Sequence, residues 1–371
     1  MNSFERIDAA IGLRPTDRVP VSPLLISYPA RCGGIRMAEM YSHFDAWFDA
    51  LDAAEHVLGA FDTVFPFWPA DVCRLQMLEF RLPGRDLPED EIAQMIESEV
   101  MRREDYELMI AGRFNQWYYD YLARMWQLGA TFPLAMPLII ARLMGINMRS
   151  LRVKRRWARR GVPTNFDVAI YPPFDLFSLT RSIQPFFYDL YDCPDLVEAA
   201  MRAAMQDNLN TVQIPLRIKR GSTVCIYPMR SSASFISTQF FERFALPYLK
   251  EIVDHFHRAG LRCVIHCDGD WTSMLPYFRE LPPRSCILEL DGLTDIFRAK
   301  AVLGDHLCLK GDVPATLLAT GSRDDVLEYC HRLIEEVGRE GGFILSSGCE
   351  VPSDAPLENV RAMIEAAMGT A

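Results

Sequence analysis

The sequence predicts an α/β protein folded as a (β/α)8 TIM barrel, on three observations. Short apolar runs alternate with amphipathic helical stretches along most of the chain, and eight such runs can be placed in order. The fifth and eighth runs end in polar, chemically able residues beside glycine, as barrel strands do at the end that carries chemistry. No G-x-G-x-x-G opens a helix after a strand, so the doubly wound open sheet lacks its dinucleotide-binding signature.

Residues 2–13 read as a short helix, with Phe4, Ile7 and Ile11 at helical spacing and Pro15 ending it. Residues 19–26 are the first strand, followed by a loop holding Pro29, Arg31, Gly33 and Gly34. Residues 46–58 form a helix with acids on its outer side, and 61–67 the second strand. From about 83 to 161 the character changes. An acidic run at 88–91 reads as a helix start, an aromatic helical stretch carries Trp117, Tyr118, Tyr119, Tyr121 and Trp126, and a basic cluster from Arg152 to Arg160 closes the region. This reads as a helical insertion (about 83–161) in a single barrel domain spanning 1–371. Its aromatics pack it onto the body or form a lid over an apolar substrate or partner. Its basic cluster is a solvated face or a grip for a carboxylate or phosphate tail.

A βα rhythm follows. Strands are expected at 166–171, 223–227, 261–267, 285–290, 306–310 and 343–345, separated by helical stretches. Ser322 to Asp325 gives a capping box for the helix that ends near Gly338.

Composition narrows the function classes. The chain has 371 residues, 50% hydrophobic and 24% charged, the mix of a globular protein. A net charge of −10 argues against nucleic-acid binding. The longest apolar stretch, 132–141, holds Pro133 and Pro137 and is too short for a bilayer, which needs about 20 residues. The N-terminus shows no signal-peptide pattern. The ten cysteines form no C-x-x-C pair, which fits reduced thiols and a cytoplasmic protein.

The chemistry concentrates at two strand tips. In the run 261–269, alternation puts Val264, His266 and Asp268 on one face and Cys263, Ile265 and Cys267 on the other. In 342–352 an apolar strand runs into Ser346, Ser347 and Gly348, with Cys349 at its tip. Histidine nitrogen, carboxylate oxygen and thiolate sulfur are all zinc donors, and three protein ligands leave one position open for a substrate. The soft thiolate favours zinc over magnesium or calcium. His266, Asp268 and Cys349 are therefore the candidate metal ligands and catalytic residues. Cys267 ranks below Asp268 because it lies on the opposite face. Alone, such a histidine is more often a hydrogen-bonded structural residue, and such a cysteine a small core residue.

These stretches resemble the uroporphyrinogen decarboxylase superfamily. The likeness runs from Phe244–Lys250 through His266-Cys267-Asp268-Gly269 and Leu309-Lys310-Gly311-Asp312-Val313 to Gly348-Cys349-Glu350-Val351-Pro352 and Pro356–Val360. Within it the chain is similar to the zinc-dependent cobalamin (corrinoid) methyltransferase branch, whose fifth strand carries H-x-C-G and whose eighth strand is followed by a cysteine. Here Asp268 stands at the first cysteine's place and Cys349 at the second's. True decarboxylases carry R-Q-A-G-R in the first loop, where this chain has Pro29-Ala30-Arg31-Cys32-Gly33. They have an aspartate after strand two, where it has Phe67-Trp68-Pro69 with Asp71 just beyond.

The resemblance implies a zinc-dependent methyltransferase, with corrinoid as co-substrate. A methyl group would pass between methylcobalamin or a corrinoid protein and a thiol, phenol or similar small molecule. The chain has no D-x-H-x-x-G corrinoid motif of its own, so the corrinoid would come free or on a separate protein. The alternative is a metal-free decarboxylase or lyase acting on a non-porphyrin substrate through Asp268 or Asp71. A non-catalytic corrinoid-binding or partner module is a third reading.

Overall fold

The computed structural model describes residues 1–219 and 223–369. A small antiparallel hairpin, β1 (Glu79–Arg81) and β2 (Gln94–Ile96), precedes a parallel sheet. That sheet runs β3 (Val168–Ile170), β4 (Thr223–Ile226), β5 (Arg262–Cys267), β6 (Cys286–Leu290), β7 (Cys308–Val313) and β8 (Phe343–Ser347), each paired with the next in chain order. Sequential parallel neighbours with helices between them are the repeating unit of a TIM barrel.

The first two barrel positions are held by extended segments rather than full strands. Ser22 N donates to Leu345 O at 2.8 Å, and Leu345 N donates to Pro20 O at 2.8 Å, which joins the first segment to β8. Asp62 N donates to Val21 O (2.7 Å), joining the second segment to the first. Val64 N donates to Pro163 O (3.0 Å), and Asn165 N to Val64 O (3.0 Å), just ahead of β3. These bonds carry the pairing from β8 back to β3. Buried Asp62 fixes this seam: it pairs with Arg6 (2.6 Å) and Arg18 (2.7 Å) and accepts from Val21 N (2.9 Å).

Two cores follow from strand alternation. Inside the ring lie Leu24, Phe65, Phe166, Cys225, Val264, Ile287, Cys308 and Ile344, with Ile7 and Ile11 of the helix Ser3–Ile11 packed among them. Outside, Cys263, Ile265 and Cys267 belong to the larger core beneath the helices. The 83–161 segment contributes the helices Asp105–Ile110, Phe114–Met125 and Met136–Ala158. Its acidic run 88–91 lies in the connection between β1 and β2, not in a helix. Pro88 and the three adjacent carboxylates Glu89, Asp90 and Glu91 favour a turn over a helix with no apolar face to bury. Four members of the basic cluster are paired: Arg152 with Asp45 (2.7 Å), Lys154 with Asp167 (2.5 Å), Arg156 with Asp52 (2.8 Å) and Arg160 with Glu55 (3.2 Å). Asp45, Asp52 and Glu55 of the helix Phe44–Leu58 are thus the partners of three of these arginines. None of the described helices is long and apolar enough to cross a membrane.

Candidate metal centre

β5 ends by turning its inward face upward at the mouth of the ring. His266 is buried on that face, and Asp268 follows as the strand stops. The turn is pinned by its own backbone: Trp271 Nε1 donates to Asp268 O at 2.9 Å, and Gly269 N donates to Asp291 Oδ2 at 2.7 Å. Gly269 has φ +85°, and a Cβ there would come within 2.8 Å of the Ser232 and Ser234 hydroxyls. Gly348, just before Cys349, packs so closely that a Cβ would lie 2.4 Å from Asp291 O. Asp291, beyond the end of β6, therefore touches both motif turns, binding one by hydrogen bond and the other by close approach.

The result is convergence. One ligand atom from each of His266, Asp268 and Cys349 lies within 4.8 Å of the others, the one such group of three among the described residues. His266 Nε2 is 3.3 Å from Asp268 Oδ1, and Cys349 Sγ is 4.0 Å from the same oxygen. Cys267 lies elsewhere, buried in the helix-facing core, where burial pushes its thiol pKa up.

Two residues that sequence reasoning gave no role complete the arrangement. His266 Nδ1 sits 2.7 Å from Glu289 Oε2, and Glu289 Oε1 sits 2.5 Å from Lys310 Nζ. All three side chains are buried. They are register neighbours across β5, β6 and β7, so side-by-side parallel pairing sets them in a row. Burial opposes charge on Glu289, but the Lys310 and His266 charges outweigh it and hold its pKa at about 2. A carboxylate there keeps Nδ1 protonated, so Nε2, on the side of Asp268 and Cys349, is the nitrogen that would give up its proton to a metal. This is the outer support that metal-binding histidines use. Burial likewise disfavours charge on His266, and the Asp268 and Glu289 carboxylates reverse it, raising the pKa. The signal available in the sequence was a charged residue amid apolar strand residues, Glu289 in Cys286–Leu290 and Lys310 directly after Cys308 and Leu309.

The donor set fits a zinc ion: one nitrogen, one thiol sulfur and one carboxylate, with the imidazole already oriented by Glu289. Asp268 and Cys349 are only half-buried, so the cluster opens to the mouth.

Asp71, the other acid considered, is buried and held by Arg149 at 2.7 Å to each oxygen and by Arg74 at 2.9 Å. Both guanidinium groups also lie over the Trp68 ring, 5.6 and 5.5 Å from its centroid. Together with Arg81, Arg85 and Arg142 they line a groove of about 1110 Å³ beside Trp68 and Trp126. These cationic groups come from residues 74 to 149 and form no motif in the sequence.

A ring of parallel strands with a His/Asp/Cys cluster at its C-terminal mouth is the layout of a barrel enzyme with a candidate metal centre. The chain belongs to the uroporphyrinogen decarboxylase (URO-D) family, whose model matches residues 167–369. It is 26% identical over 194 residues to the methylcobamide:CoM methyltransferase MtbA of Methanosarcina acetivorans, covering 52% of this chain and 55% of that protein. It is 28% identical over 142 residues to the uroporphyrinogen decarboxylase of Hordeum vulgare, covering 38% of this chain and 41% of that one. The chain thus matches about half the length of its methyltransferase relative, and less of the decarboxylase. A solved methyltransferase from Methanosarcina mazei shares the fold over 100% of this chain and 99% of its own, with a TM-score of 0.74 at 18% identity.

Proposed function

We propose that this protein is a zinc-dependent methyltransferase that works with a corrinoid, and that His266, Asp268 and Cys349 hold the metal. The observation that carries the reading is the convergence of these three donors within 4.8 Å, on strand tips far apart in sequence. The similarity to a methylcobamide:CoM methyltransferase supports it. Bound zinc would act as a Lewis acid, lowering the pKa of a thiol or hydroxyl at its open position.

The chain's own residues prepare that position. Glu289 and Lys310 fix the imidazole, and Asp291 holds the two motif turns together. Cys349 and Asp268 bring sulfur and oxygen donors to the half-open side. The methyl group would pass between methylcobalamin or a corrinoid protein and a thiol, phenol or similar small molecule. The corrinoid would come from outside the chain, and neither nucleic acid nor membrane enters the reaction. We place the protein in the cytoplasm, as one barrel unit with 83–161 as its insertion.

The test is zinc content of the purified protein together with methyl transfer from free methylcobalamin to a panel of thiols and phenols. If no zinc is retained after re-addition and Cys349→Ala keeps full activity on the substrate found, a metal-free lyase takes its place.

A further inference from the structure

The second barrel segment and β3 part company above the seam. The last backbone hydrogen bond between them among the described residues is Asn165 N to Val64 O. Beyond it, Phe65 and Phe67 on one side and Val168, Ile170 and Tyr171 on the other line a cavity of about 380 Å³. The insertion covers it through Tyr118 and Tyr119 of the helix Phe114–Met125 and Leu143 and Asn147 of the helix Met136–Ala158.

The chemistry of this wall is selective. Only two lining residues are charged, Asp207 and Lys219. Lys219 is buried, its Nζ donates to Asp167 O at 2.6 Å and lies 4.4 Å from the Phe67 ring centroid. A charged guest would lose its hydration with little to replace it. Asn147 donates its amide N–H to Leu143 O (2.8 Å) and Asn208 to Tyr171 O (2.8 Å), which leaves each side-chain oxygen as an acceptor. The size is informative too, since an apolar cavity of about 150 Å³ takes up benzene. This one holds a substituted ring or two fused rings.

The cavity also lies one ring away from the candidate metal centre. Tyr227 lines it, and the Tyr227 ring centroid is 5.2 Å from that of His266, edge to face. Tyr171, on the same wall, lies 5.6 Å from Tyr227.

We propose that this wedge between the second and third barrel strands is a binding site for an uncharged planar molecule of one or two rings carrying a hydrogen-bond donor, such as a phenol. That this molecule is the organic partner in methyl transfer rests on the function proposed above; its binding does not. The insertion is then the wall of a substrate site.

The experiment uses metal-free full-length protein, titrated calorimetrically with 2-naphthol and with naphthalene-2-sulfonate, the same ring system bearing a charge. The expected result is binding of 2-naphthol and at least about tenfold weaker binding of the sulfonate, a difference of about 1.4 kcal/mol. Ala169→Phe fills the cavity and Met144→Trp crowds its rim. Each should weaken 2-naphthol at least about tenfold while circular dichroism and zinc uptake stay unchanged. Ala169 and Met144 both line the cavity, and Met144 stands on an exposed helix face where a larger side chain is accommodated.

No 2-naphthol binding to folded protein overturns the proposal. So does equal binding of the sulfonate, or binding that a folded Met144→Trp leaves unchanged. Binding in a protein that never retains zinc keeps the cavity assignment and removes the metal reading; zinc without naphthol binding does the reverse.

Discussion

Glu289 accepts a 2.7 Å hydrogen bond from the inward nitrogen of His266 and is itself ion-paired to Lys310, all inside the barrel. The imidazole is therefore oriented before any metal arrives. Glu289→Gln keeps the shape and removes the charge. Zinc affinity should fall about 10–100-fold, the usual effect of losing an outer partner of a metal-binding histidine. Competition titration against a chromogenic chelator measures it. Affinity equal to wild type would show that the row of buried charges serves stability alone.

Removing a direct ligand should do more. His266→Ala and Cys349→Ala should each lose zinc while the barrel stays folded, because both residues stand at the mouth, outside the apolar inner core of Val264, Ile287 and Ile344. Asp268→Ala should weaken zinc less, because a hard carboxylate oxygen is the weakest zinc donor of the three. Asp268→Cys should bind zinc at least as tightly as wild type, because thiolate is the softer donor. Metal analysis of each purified variant, with circular dichroism as the folding control, gives the order.

The seam at Asp62 makes a separate stability prediction. Its carboxylate is fully buried between Arg6 and Arg18 and caps Val21 N. Asp62→Ala leaves Arg6 buried without that partner and frees the backbone that joins the first two segments. The expected cost is about 3–5 kcal/mol, the range for breaking a buried pair from one side. Urea denaturation reads it, and a loss under about 1 kcal/mol would mean that Asp17, the other partner of Arg6, suffices.

Asp175 supplies a pH dependence. It is buried after β3, and burial raises its pKa to about 7, although Arg230 N and the Ser231 hydroxyl donate to it. The folded chain therefore holds this proton more tightly than the unfolded chain, whose aspartate titrates near 3.8. The stabilisation is complete below the unfolded value and is lost as pH rises through about 7. Asp175→Asn, neutral at every pH, should remove that decline. The variant should gain on wild type by roughly 2–4 kcal/mol between pH 4 and pH 8. Parallel urea melts at the two ends of the window decide it, and identical slopes for both proteins would overturn the assignment.

By itself the sequence determined the order of eight strand positions and the faces of β5. Alternation in 261–269 is a local property of extended backbone, so Val264 falls in the inner core while Cys263 and Cys267 fall in the outer one. It also marked His266, Asp268 and Cys349, because polar residues beside glycine at the end of an apolar run are a local pattern. What it left open depended on pairing between distant strands. Glu289 and Lys310 become neighbours of His266 only through sheet register. The partners of Arg152, Arg156 and Arg160 lie about a hundred residues earlier, at Asp45, Asp52 and Glu55. The cavity beside Tyr227 exists because two strands stop pairing at Val64 and Asn165, an absence of hydrogen bonds that no residue pattern records. Side-chain periodicity is set by each residue's own backbone; which elements meet, and where they fail to meet, is set only when the whole ring packs.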